Sequence, residues 1–103
     1  MTKKRLQPDD RKQQILTAAI RVAARPGGWA KLTRDAVAKE AGCAEGLPSK
    51  YFGTMISFRR AIMRAAIGAE NLAVIAQGLA AGDKCAQKAD ESLKRKALET
   101  LAG

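Results

Sequence analysis

Apolar residues recur along the first part of the chain with the spacing of an α-helix. Between Asp9 and Arg25 they fall three, four and seven positions apart, which places them on one helical face. Pro8 suits a first helical turn, where its missing N–H does no harm, and Pro26 with the glycines after it stops the helix. The pattern predicts a first helix from Asp9 to Arg25, with apolar positions at Ile15, Leu16, Ala19, Ile20, Val22 and Ala23.

Two shorter helices are predicted next. Thr33 is a favoured N-cap for a second helix over Arg34–Ala41. This helix ends at Gly42, because glycine takes the left-handed backbone conformation without strain. A third helix fits about Ala44–Phe52. It contains Pro48, which is harmless only in a first turn, so we expect the helix to begin at the very start of that range.

The rest of the apolar pattern predicts a long helix and a final one. Thr54 caps the fourth helix, which continues to Leu79 with Gly68 and Gly78 as mild interruptions. Its apolar surface is wider than one stripe, so we expect one side to cover the first three helices and the other to meet a partner. A fifth helix is predicted over 83–101, where apolar residues recur every four positions at Cys85, Ala89, Leu93, Ala97 and Leu101.

These elements predict an all-α fold. A basic arm (1–8) precedes a three-helix bundle with a helix-turn-helix (9–53), and a long helix or helix pair follows for dimerisation (54–103). Composition favours the same class: only 4 of 103 residues are aromatic, while alanine and leucine, which lead the helix-propensity scale, are common.

Composition also excludes several functions. The chain has no histidine, which removes the usual general base and the usual zinc ligand. Cys43 and Cys85 show no metal-binding spacing, and we interpret them as small buried apolar groups, able to pair only if the fold brings them together. No nucleophile–base pair or phosphate-binding glycine loop is visible, so we expect neither an enzyme nor a cofactor.

Membrane and secretion signals are missing as well. No apolar run approaches the ~18 residues of a membrane span, and no apolar stretch follows the basic start as it would in a signal peptide. We expect a cytoplasmic, nucleoid-associated protein with no membrane partner.

The charge is concentrated in the first part of the chain. Residues 1–60 contain 13 Lys or Arg and 5 Asp or Glu, whereas residues 61–103 contain 6 and 5, so the net charges are +8 and +1. A cluster of like charges costs stability, and a polyanionic partner is its commonest reason. Double-stranded DNA is therefore the favoured partner. Surface solubility and an anionic membrane surface are the alternatives.

The order of features from the first helix to the third matches a helix-turn-helix. Two helices joined by a tight turn with a small residue leave the following helix free to enter the major groove of DNA. The turn pattern alone is weak, and the full order makes it specific. The residues that carry it are Arg11–Ala23 (RKQQILTAAIRVA), Gly28-Trp29, Leu32-Thr33-Arg34, Val37–Gly42, Gly46, Tyr51-Phe52-Gly53 and Thr54.

On these residues, the sequence resembles the DNA-binding domain of the TetR family of transcriptional regulators over about residues 10–70. The resemblance implies a three-helix DNA-binding head on a connecting helix, working as a dimer that represses transcription. Family members are commonly about twice as long and carry an effector-binding domain, so a small-molecule effector is not expected here. Short forms of this kind would be expected on plasmids or phages.

The chain departs from the family pattern in the third helix and just after it. Ser49 stands where a tyrosine that contacts phosphate is common, Pro48 replaces a leucine, and Met55 replaces a common lysine. Ser49 and Lys50 are still placed to reach a phosphate.

The candidate DNA contacts divide into three groups. Lys31, Thr33, Arg34 and Thr54 would hold phosphates at helix N-termini and beside them. Residues at the start of the third helix would read bases, with Glu45 accepting from a cytosine amino group and Leu47 touching a thymine methyl. The full set is Lys3, Lys4 and Arg5 in the arm, together with Lys31, Thr33, Arg34, Ala44, Glu45, Gly46, Leu47, Ser49, Lys50, Tyr51 and Thr54.

Each of these residues has a simpler interpretation. Thr33 caps a helix whether or not it meets DNA, and Lys31 and Arg34 are also ordinary surface charges. Tyr51 either contacts the backbone of DNA or packs inward, whereas Phe52 and Trp29 are expected in the core. The arm is either disordered or inserted in the minor groove.

The favoured function is a sequence-specific repressor that binds an inverted-repeat operator as a homodimer. Two alternatives remain open. A non-specific architectural binder would have equal affinity for scrambled DNA, and a helical interaction module would bind another regulator and ignore DNA.

Overall fold

The computed structural model describes residues 7–102 of the chain, and the side chains of residues 7–101. Within that range the regular structure is entirely helical, which confirms the all-α prediction. The helices are α1 (Pro8–Ala24), α2 (Arg34–Ala41), α3 (Leu47–Phe52), α4 (Met55–Gly68), α5 (Leu72–Ala80), α6 (Lys84–Gln87) and α7 (Glu91–Ala102). The predicted bounds of α1 and α2 are therefore correct to within one residue.

Four helices begin at a side-chain cap of the same kind. Thr33 and Thr54 each accept a hydrogen bond from the backbone N–H three residues later, at 3.1 Å, so both predicted caps are confirmed. Asn71 and Asp83 do the same at 3.1 and 2.9 Å. Each such bond satisfies an N–H that the helix cannot, and contributes about 1 kcal/mol.

The third helix is shorter than predicted. It begins at Leu47, and the residues from Ala44 to Gly46 form a turn in which the Leu47 N–H donates to the Ala44 carbonyl at 3.1 Å. Pro48 explains the late start, because it has no N–H to donate to residue 44 and so has to lie in the first turn. The prediction that this helix starts near Ala44 is wrong.

The predicted long fourth helix is two helices, α4 and α5. Glu70 has a φ of 53°, in the left-handed region, and the Asn71 N–H donates back to the Ala66 carbonyl at 2.8 Å, which closes α4. Asn71 then caps α5. Gly68 is not the cause of the break, while Gly78 lies inside α5 where a Cβ would overlap the Met63 side chain. The glycine therefore allows α5 to approach α4 closely.

The predicted fifth helix is also interrupted. After the break at Gly82, which has a φ of 77°, the short α6 ends at Gln87 and α7 begins at Glu91. The four-residue repeat holds in part: Ala89, Leu93 and Ala97 are buried. Leu101 is 55% exposed, so its predicted place in the core is wrong.

One apolar core joins all of these helices. α4 lies at its centre, where it contacts α1, α3, α5 and α6, while α5 also packs on α1 and α7. The second side of the predicted long helix therefore meets the chain's own α6 and α7, rather than being left free for a partner. The largest fully buried side chains are Phe58, Ile15, Ile62, Met63, Ile75, Val37, Val74 and Pro48.

The remaining sequence features fall into place around this core. Trp29 is 4% exposed, as predicted for a core residue. Cys43 and Cys85 are free thiols, half-buried against the core. None of the helices described is long and apolar enough to cross a membrane.

Candidate nucleic-acid interface

The helix α3 lies on the outside of the molecule, against α2 and α4. Its inner side is apolar: Pro48 is buried, and the ring of Phe52 stacks on that of Phe58 with centroids 5.1 Å apart. Ser49 and Lys50 are exposed on the other side. A helix of only six residues depends on such tertiary packing for its stability, so the apolar side fixes which residues face outward.

The turn before α3 is also exposed. Gly42 has a φ of 68°, and the Cys43 N–H donates to the Ala38 carbonyl at 3.0 Å, so α2 ends as predicted. Ala44, Glu45 and Gly46 follow on the surface. The turn and the outer side of α3 therefore form one continuous exposed strip.

The N-termini of α2 and α4 lie close to this strip and to each other. The Arg34 guanidinium, at the start of α2, donates to the Gly53 carbonyl just before α4, at 3.2 Å. A shallow concave surface of about 310 Å³ lies between the two helix starts, lined by Leu32, Thr33, Arg34, Asp35 and Met55. Helix N-termini are positive ends of the backbone dipole and favour anions. The Asp35 carboxylate opposes that preference locally.

Two of the arginines in the basic part of the chain are engaged within the fold. Glu40 on α2 pairs with Arg21 at 3.2 Å and with Arg25 at 2.6 Å. The hydrogen bonds from Arg25 and Arg21 hold the pKa of the Glu40 carboxyl below its ordinary value. These contacts tie the last turns of α1 to α2, and they neutralise one of the two guanidinium charges.

A third arginine supports the segment that leads into α2. Arg59 on α4 donates to the Trp29 carbonyl at 2.7 Å, and its guanidinium lies 5.0 Å from the centre of the Trp29 ring. Gln77 on α5 accepts from the Trp29 N–H at 2.9 Å and donates to the Ala23 carbonyl at 2.7 Å. Both side chains therefore hold the segment whose end, Thr33, caps α2.

The structure places most of the predicted contact residues on this surface. Arg34, Leu47 and Tyr51 are half-buried, and the Lys50 ammonium lies 5.9 Å from the centre of the Tyr51 ring. Leu47 and Tyr51 pack against the core, so their inward interpretation is the one supported. Lys3, Lys4 and Arg5 lie outside the described residues. The exposed members are Lys31, Thr33, Ala44, Glu45, Gly46, Ser49, Lys50 and Thr54.

The sequence pattern did not indicate Arg59, Gln77 or Glu40. One signal was available, since Gln77 is the single polar residue in an otherwise apolar helix, LAVIAQGLA. Arg59 and Glu40 carry no local signal, because both act on residues far away in the sequence.

Comparison with protein-family models, with curated proteins and with solved structures finds no match to this chain. The resemblance to TetR regulators therefore depends on the quoted residues alone.

Proposed function

We propose that this chain is a DNA-binding transcriptional repressor that acts as a homodimer on an inverted-repeat operator. The observation that carries the proposal is the placement of α3, which packs its apolar side against the core and exposes Ser49 and Lys50. The major groove of B-DNA, about 12 Å wide, admits a helix presented in this way.

The charge around α3 suits a polyanion. Lys31 and Lys50 are exposed, and within residues 7–101 neither forms an ion pair. They lie on the surface that also carries the capped N-termini of α2 and α4. Cations and helix N-termini of this kind bind phosphates, which set the register of a protein on DNA.

The turn and the outer side of α3 supply the groups for reading bases. Glu45 offers a carboxylate that accepts from a cytosine amino group, and Ser49 offers a hydroxyl that bonds to any base edge. Gly46 has no side chain to hold the backbone away from the groove. Two such heads related by a two-fold axis would read an inverted repeat, with half-sites about one helical turn apart or a multiple of it.

Selection of bound sequences from a random DNA pool tests the proposal directly. We expect an inverted-repeat consensus. Lys50→Ala should weaken binding to that consensus and lower the slope of log affinity against log salt by about one unit, as expected for one phosphate contact. Lys96→Ala removes an exposed lysine on α7 and is the matched control, with affinity and slope unchanged.

Two outcomes would contradict the proposal. Equal affinity for the selected and scrambled sequences would indicate an architectural binder, and no DNA binding by a folded protein would favour an interaction module. Circular dichroism of each variant shows that the helices are retained.

A further inference from the structure

The face formed by α5 and α7 exposes large apolar side chains. Leu98 and Leu101 on α7 are 50% and 55% exposed. Leu98 lines an open groove of about 580 Å³ between the two helices, with Leu79 of α5 on its other side. A contiguous apolar surface rimmed by charges is typical of a protein–protein contact.

The charges around this groove are balanced. Glu91, Lys94, Arg95 and Glu99 all border it, two of each sign. The Lys94 ammonium already pairs with Glu91 at 2.9 Å and donates to the Gln87 carbonyl at 2.9 Å. Arg95 and Glu99 are exposed, and in the part of the chain whose side chains are described neither has an ion-pair partner.

The positions of these two free charges are self-complementary. Arg95 and Glu99 lie two residues before and two residues after Ala97 on α7. When two copies of α7 run antiparallel about a two-fold axis at the level of Ala97, each Arg95 is level with the Glu99 of the other copy. Because α7 is a regular helix, both residues lie on the same rim, and Leu98 of each copy is about 1.5 Å along the helix from the axis.

We propose that the α5–α7 groove is the surface through which two copies of this chain associate. It would be an isologous interface in which leucines meet near the axis and Arg95–Glu99 pairs form twice at the rim. The proposal rests on the homodimer in the proposed function and names its surface. The rim carries no net charge, so the groove does not suit DNA or an acidic peptide, whereas it matches a second copy of itself.

Sedimentation equilibrium without DNA gives the dimer dissociation constant of the full chain. We expect the wild type to dimerise and Leu98→Glu to raise the constant at least about tenfold, because a charge would be buried at the centre of the contact. Ile56→Glu is the matched control: Ile56 is 74% exposed on α4, away from the groove, and its substitution should leave the constant unchanged.

Charge reversal tests the antiparallel register. Arg95→Glu and Glu99→Arg each place like charges opposite one another and should raise the dissociation constant roughly threefold to tenfold. The double variant restores both pairs and should return to within about twofold of the wild type. A merely destabilised helix would not be rescued in this way.

The results separate this proposal from the proposed function. A wild type that stays monomeric, a Leu98→Glu variant that dimerises normally, a disrupted Ile56→Glu dimer, or a double variant without rescue would each overturn the interface. A dimer that follows all of these expectations but ignores DNA would support the interface and contradict the repressor.

Discussion

The two outer helices α3 and α7 pack on the same core but present opposite chemistry to solvent. Each turns apolar residues inward: Pro48 is buried in α3, and Leu93 and Ala97 are buried in α7. On the outer side, α3 exposes Lys50, whereas α7 exposes Leu98. The inner sides follow from folding alone, since every surface helix needs an apolar stripe.

Function therefore has to be inferred from the outer sides. A polar, cationic surface beside two helix N-termini matches a phosphate backbone. An apolar groove with balanced charges matches a protein surface, since solvent-exposed leucines cost free energy that burial recovers, at about 25 cal/mol per Å². The difference between α3 and α7 assigns one end of the chain to DNA and the other to self-association.

The shared core should make the two regions unfold together, and Phe58→Ala is the strongest test of that. Phe58 is fully buried on α4 and stacks on Phe52 of α3. Its truncation should lower the free energy of unfolding by about 3–5 kcal/mol. Urea denaturation followed by helical circular dichroism and by Trp29 fluorescence measures the change, and the two curves should coincide.

Ile56→Ala is the control for that experiment. Ile56 is 74% exposed on the same helix, and the change should be within about 0.5 kcal/mol. If Trp29 fluorescence in Phe58→Ala changes at lower urea than the circular dichroism, the head and the α5–α7 region are separate units and the comparison loses its common basis.

The sequence predicts the first two helices well because their limits are local. Thr33 and Gly42 act on backbone groups within a few residues of themselves, so spacing and residue type are enough. The break between α4 and α5 was missed, although Asn71, a favoured N-cap, stands inside the apolar run. What closes α4 is the left-handed backbone of Glu70, a conformation that residue type does not indicate.

The position of Leu101 shows how a pattern of apolar residues misleads. A repeat of four residues turns about 400°, so each step drifts by about 40° from the preceding one. Leu93 and Ala97 stay on the core side of α7, and the accumulated drift carries Leu101 away from it. The candidate dimer surface thus arises where the predicted core pattern fails.

The supports of the candidate DNA surface could not be predicted at all. Arg59 and Trp29 are 30 positions apart, and Gln77 and Trp29 are 48 apart. No local spacing relates such residues, and their contact depends on how α4 and α5 pack. The exposed strip from Ala44 to Lys50, in contrast, follows from a turn and a short helix that the sequence does show.

A matched pair of caps sharpens the comparison between the two ends. Thr33→Ala and Asp83→Ala each remove one N-cap hydrogen bond, of 3.1 and 2.9 Å, and each should cost about 1 kcal/mol of stability. Only Thr33→Ala should also weaken DNA binding, by about two- to fivefold, since α2 alone presents its N-terminus beside α3. Thermal denaturation and a gel shift measure the two effects. Equal losses of DNA affinity would mean that both changes act through stability.

The smallest expected effect concerns the ion pairs between α1 and α2. Arg25 and Arg21 lower the pKa of the folded Glu40 carboxyl below its ordinary value, so the folded state binds its proton less readily than the unfolded chain. The pairs therefore stabilise the fold at pH above the ordinary carboxyl pKa, and this contribution is lost as the pH falls through the lowered pKa. Glu40→Gln should reduce the melting temperature slightly at neutral pH and leave it unchanged in acid.

The control for Glu40 is a carboxylate on the same head without an ion pair. Glu45 is exposed, and among residues 7–101 it pairs with no cation, so Glu45→Gln should follow the wild-type melting curve at both pH values. Because Glu40 lies on α2 rather than on the exposed strip of α3, its substitution should leave the salt slope of DNA binding intact. A change in that slope would mean that Arg21 and Arg25, once released, reach phosphates themselves, and the boundary between structural and DNA-facing cations would then have to include α1.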